Sequence, residues 1–204
     1  MRAEKRTRLS PEARRAQLIS LGMEMLETRS LEDLSVEDIA DRAGVSRGLL
    51  FHYFTSMHDF HVAVVSHLAR EMLERTAPDL SLPPMDALHG SLSAYIDFVS
   101  GNRAGYVSLL RGAASGDEAM RKIFDDTRSE MANRTLGQAP VLGIPQDART
   151  RLAVRGWIAF TEEAVINWLG NEDLPREELI DLISGALPAL LLGVTPDAAA
   201  RLAP

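Results

Sequence analysis

The sequence predicts an all-α protein of about nine helices, with a short N-terminal helix-turn-helix ahead of a larger helical lobe. Three observations predict it. Between turn-forming residues, almost every segment repeats apolar side chains with the 3.6-residue period, and none alternates with period two. A serine stands ahead of four successive periodic runs, at Ser10, Ser35, Ser46 and Ser56, where a hydroxyl can accept an early backbone N–H. A tight turn at Gly44 then joins two short runs in the spacing of a helix-turn-helix.

In order, Ser10-Pro11-Glu12 opens a first helix, its proline at a position where a missing N–H costs nothing, with Leu18, Leu21, Gly22, Met25 and Leu26 on the buried face and an end near Arg29. Ser35 opens a second that ends at Gly44, with Asp38 expected to return a bond to the serine N–H. Ser46 opens a third through Tyr53, and Ser56 a long fourth to about Thr76. Beyond the Pro83-Pro84 pair, helices are expected at 85–100, 103–113, 116–136, 147–170 and 176–192. Turns at Ser100-Gly101-Asn102, Ser115-Gly116, 137–145 and Gly170–Pro175 separate them, and Pro188 should kink or loosen the last. The domain reading is 1–56 for the helix-turn-helix and 57–204 for the lobe.

Composition narrows the function. With 46% hydrophobic and 25% charged residues the chain can bury a sizeable core, and with no cysteine it has neither disulfides nor thiolate metal sites. The charged start lacks an apolar signal segment and no window reaches about 18 uninterrupted apolar residues, so a cytoplasmic protein without a membrane partner is expected. A net charge of −7 argues against nucleic acid only until it is located. Residues 1–58 carry nine Lys/Arg against nine Asp/Glu, so the whole excess lies beyond them, while Arg2, Lys5, Arg6, Arg8, Arg14 and Arg15 make a basic arm.

Val45, Leu50 and Phe54 are expected to hold the third helix down, which turns Arg47, Gly48, Leu49, Phe51 and His52 outward. Arg47 suits a guanine edge or a phosphate, Leu49 a thymine methyl, and Gly48 close backbone approach. The capped helix start at Ser35 suits a phosphate together with the basic arm. Core filling by Phe51 and His52 is the competing role for those two.

Residues 18–60 resemble the DNA-binding domain of TetR-family transcriptional regulators, through Leu18, Gly22, Leu26, Val36, Ile39, Ala40, Ala43, Gly44, Val45, Ser46, Gly48, Leu50, Phe54 and Ser56. The pattern departs from the family where threonine, tyrosine and lysine are usual and Leu49, Phe51 and Met57 stand, and where Glu37 takes a commonly basic position. With the resemblance, DNA contact is assigned to Ser35, Val36, Ser46, Arg47, Gly48, Leu49, Phe51, His52 and Tyr53. The resemblance implies a lobe that binds a small effector and dimerises, so the partners expected are a double-stranded palindromic operator, an apolar or amphipathic effector and a second copy of the chain, acting as a repressor.

Within the lobe, Tyr95, Phe98, Tyr106, Phe124, Arg155, Ile158 and Glu162 are candidate effector contacts, with Arg155 and Glu162 expected as a structural pair. Trp168, Leu182, Ile183, Gly185, Ala186 and Leu190 are candidates for a dimer interface, because so apolar a final helix is poorly suited to a monomer surface. An architectural DNA binder without effector would not need so large a lobe. A metal hydrolase would draw on His52, His58, His61 and His67, but no HExxH, P-loop or GxSxG spacing is present. No catalytic residue, metal or cofactor is therefore expected.

Overall fold

The computed structural model describes residues 9–114, 116–171 and 173–194. Arg2, Lys5, Arg6 and Arg8 of the basic arm, and Ser115, lie outside the described residues. The described residues form nine α-helices, one 3₁₀ turn and no strand. They are α1 (Pro11–Leu26), α2 (Val36–Ala43), α3 (Arg47–Tyr53), α4 (Met57–Arg75), α5 (Pro84–Gly101), α6 (Arg103–Ala114), α7 (Glu118–Gly137), α8 (Ala148–Asn171) and α9 (Arg176–Val194), with the 3₁₀ turn at Leu31–Asp33 after α1.

The serine caps are in place. Ser10, Ser35, Ser46 and Ser56 accept from the N–H groups of Ala13, Asp38, Leu49 and Asp59 at 3.0–3.2 Å. Asp38 does not return the expected bond to the serine N–H. Its carboxylate instead accepts from the Ser35 hydroxyl at 2.8 Å and from Arg29 at 3.3 Å. One methylene shorter than glutamate, it stays beside the cap, although Asp59 does reach back, to the Thr55 N–H at 2.9 Å. α1 ends at Leu26, three residues before the expected Arg29.

Two compact units result, one running to Leu68 and taking in Asn102–Met120, the other Ala69–Gly101 and everything from Arg121. The unit with the helix-turn-helix thus extends past residue 56 into α4 and includes α6. In it, Leu18, Leu26, Ile39, Leu50, Phe54, Phe60 and Val64 are no more than 1% exposed. Phe54 meets Phe60 edge-on at 5.0 Å, and the Leu31 N–H donates to the buried Ser108 hydroxyl at 3.1 Å. A Cβ on Gly22 would come within 2.7 Å of Val64 and 2.8 Å of Phe60, so only glycine lets α1 approach α4 this closely.

In the second unit α8 packs chiefly on α9, and α9 also on α5. The Trp157 indole N–H donates to the Ile183 carbonyl at 2.8 Å, and Arg176 donates to Ser93 and Asp97 on α5. Pro188 does not interrupt α9, which continues to Val194. Proline deletes one N–H, while Ile183, Leu187 and Leu191 stay buried along one side of the helix.

Candidate functional site

The head begins with the turn. Gly44 caps α2 in the left-handed region at φ 62°, and the Val45 N–H behind it returns to the Ala40 carbonyl at 2.9 Å. That reversal aims α3 across α2. Leu50 and Phe54 are buried and Val45 half-buried, leaving Ser46, Arg47, Gly48, Phe51 and His52 exposed on one surface. Phe51 is 48% exposed, so it is not core filling. Leu49 and Tyr53 are half-buried beside them, as are Ser35 and Val36 at the start of α2.

Arg47 turns outward, and its guanidinium meets the Glu37 carboxylate of α2 at 2.8 Å. Both side chains are at least half exposed, so the pair adds little to stability. Its consequence is positional: the most exposed cation of α3 is held back toward α2. An acid and an arginine on either side of a helix-turn-helix turn were the available signal for it.

The histidines do not converge. His58 reaches Asp117 at 3.4 Å, whereas His61 is half-buried with its Nε2 unpartnered and is held below its ordinary pKa of 6.5, chiefly by burial. Among the described residues no three His, Asp or Glu side chains are placed to hold a metal ion. No helix among them is long and apolar enough to cross a membrane.

The second unit holds a largely apolar cavity, with about 150 Å³ in which a water molecule could be centred. α5, α7, α8 and α9 wall it, together with the 138–144 turn. Of the candidate effector contacts, Tyr95, Ile158 and Glu162 line it and Phe98, Tyr106, Phe124 and Arg155 do not. Phe98 is buried with Arg75 over its ring, Tyr106 belongs to the other unit, and Phe124 carries Arg128 at 4.5 Å. Arg155 is exposed, and the expected pair with Glu162 is absent. Seven residues in line on a helix are about 10 Å apart along its axis, too far for a direct bond.

Glu162 pairs instead with Arg128 of α7, which gives its Nε to both carboxylate oxygens at 2.9 Å and adds a contact from Nη2. Burial pushes the Glu162 carboxyl above its ordinary range, and Arg128 draws it part of the way back. Arg134, also on the cavity wall, donates to the Leu73 carbonyl in the last turn of α4 and to Glu130. Helix-end carbonyls lack intrahelical partners, so this arginine closes α4.

On the outer side of α8 and α9, Leu152, Gly156, Phe160, Ala186, Ala189 and Leu190 line a shallow apolar groove. Leu152, Phe160, Leu182 and Leu190 are 39–72% exposed. Of the dimer candidates, Leu182, Gly185 and Leu190 are exposed, Ala186 and Trp168 half-buried, and Ile183 fully buried. Ile183 faces inward because α9 is apolar on several sides and one of them must meet α8.

Residues 18–64 match the model for bacterial regulatory proteins of the tetR family, and residues 84–187, just over half the chain, match the model for the tetracyclin repressor-like C-terminal domain. The chain belongs to the TetR family of transcriptional regulators. FasR, a transcriptional activator of Mycolicibacterium smegmatis, is 23% identical to this TetR-family protein over 174 residues, spanning 81% of this chain and 76% of FasR. The crystal structure of a tetR-family regulator from Streptomyces coelicolor superposes with a TM-score of 0.84 at 27% identity, covering 95% of this chain and 88% of that one. FadR of Bacillus subtilis, solved with stearoyl-CoA, shares the TetR fold at a TM-score of 0.66 and 18% identity, covering 88% of this chain and 99% of FadR. The helices within residues 18–64 thus form a DNA-binding helix-turn-helix of that family.

Proposed function

We propose that this TetR-family regulator is a homodimeric repressor that holds a palindromic operator through α3 and releases it when a small apolar or amphipathic effector fills the cavity of the second unit. The observation that carries the reading is the cavity itself: a space walled mostly by apolar side chains with a few polar groups is the usual form of a small-molecule site. The stearoyl-CoA bound to FadR is in keeping with an effector that has an apolar chain. A second copy would cover the apolar groove of α8 and α9 as a self-complementary two-fold interface.

Effector and head communicate through α4 in this reading. Thr76 and Arg134 line the cavity, and their side chains bond to the Met72 and Leu73 carbonyls at the end of that helix. A ligand that displaces either changes how α4 ends. Selection of bound DNA from a random pool, followed by footprinting, tests the proposal. A palindrome with half-sites about one helical turn apart, ~34 Å, is the expected result. Binding without sequence preference would favour an architectural role, and FasR's standing as an activator makes a promoter–reporter assay the measure of repression.

A further inference from the structure

If the cavity holds an effector, a role on which the inference rests, its wall also bears on the effector's head group. The α8 residues that line it, from Thr150 through Val154, Trp157, Ile158 and Thr161 to Glu162, lie on one helical face that extends roughly 18 Å. From Pro84 to Tyr95, α5 presents a comparable face of about 16 Å. The space is therefore a slot that suits an elongated occupant.

Charge then narrows the class. Glu162 is a lining carboxylate, and ionised it only accepts hydrogen bonds. Arg128 supplies three contacts to its two oxygens, which have room for about four. One lone pair has no protein donor among the described residues and can take one from a ligand. An anionic head would sit against the Glu162 charge. The lining cation, Arg134, is already committed to Glu130 and to the Leu73 carbonyl. A cationic head would meet Arg128 behind the carboxylate, in a setting where an uncompensated charge is costly. Ser91, on the same wall, keeps a buried hydroxyl oxygen with no partner among the described residues, a second place for a polar atom. We propose that the effector is an elongated, neutral amphipath whose hydroxyl donates to Glu162 while its apolar body lies along α5 and α8.

Calorimetric titration of the full-length protein with decanol, decanoate and decylamine at neutral pH tests this. Decanol should bind at least tenfold more tightly than either charged homologue, and Glu162→Gln should narrow the gap between decanol and decanoate severalfold. Decanoate or decylamine binding as well as decanol, or an unchanged gap in Glu162→Gln, would overturn the inference while leaving the cavity as an effector site. If none of the three binds, the cavity reading itself falls and this inference with it. Should Glu162→Gln fail to fold, Arg128→Met/Glu162→Met, which removes the pair together, takes its place with the same expected narrowing.

Discussion

The two compact units differ in what they do with apolar side chains. In the unit that carries the head, seven large or branched residues from Leu18 to Val64 are sealed to 1% exposure or less, and Gly22 is needed for α1 and α4 to approach at all. In the second unit, long helices with similar apolar composition leave a cavity inside and a greasy groove outside. Close packing holds the inner face of α3 in place through Leu50. Incomplete packing leaves room for partners, and the buried Glu162 with its half-buried partner Arg128 stands at the edge of that room.

Substitutions that strike one unit alone sharpen this contrast. The largest effect is expected from Arg128→Met, which strands the Glu162 carboxylate in the cavity wall and should cost about 3 kcal/mol in chemical denaturation, with Arg128→Met/Glu162→Met recovering most of it. Equal stability in the single variant would mean that water reaches Glu162 freely. Next comes Gly22→Ala, where the added methyl meets Val64 and Phe60 and overpacking should cost about 1–3 kcal/mol. Effector titrations of that variant should be unaltered; a comparable loss there would erase the distinction between the units.

Smaller changes are expected on the DNA face. Arg47→Ala should weaken operator binding by about tenfold, on the scale of one specific base contact, measured by fluorescence anisotropy. Glu37→Gln should strengthen it by a few fold, because Arg47 is then no longer held toward α2. The slightest effect is that of pH. Burial holds His61 below 6.5, so its neutral form stabilises the folded head above that pH, and the contribution is lost as pH falls below 6.5 and the unfolded chain takes up the proton first. Between pH 7.5 and 5.5 the melting temperature should therefore fall, less steeply in His61→Gln.

The head was legible in the sequence because its determinants are local. A serine cap, a proline at the first helical position and Gly44 each act within four residues, and the spacing of Val45, Leu50 and Phe54 then settles which way Arg47 and Phe51 point. The lobe was less legible for the opposite reason. Tyr95 and Phe98 sit three residues apart on one helix, yet one borders the cavity and the other is core, since residue type does not say whether a neighbour leaves space. Arg128 finds Glu162 across 34 residues, a distance at which spacing carries no signal. In α9 the apolar residues circle the helix, so Ile183 could not be told from Leu182 until α8 was in place.

The contact between Glu37 and Arg47 bears finally on how the operator is met. Nucleic-acid affinity ordinarily rises as salt falls because each cation that reaches a phosphate frees a condensed counterion. If Arg47 meets a phosphate as proposed, it arrives with a carboxylate already bound, so docking would exchange one anion for another and release Glu37 as a free negative charge. Glu37 would then compete with the backbone for Arg47. Its hold on DNA should depend less on ionic strength, and more on apolar contacts from Leu49 and Phe51, than its family's usual hydroxyls and lysine would make it.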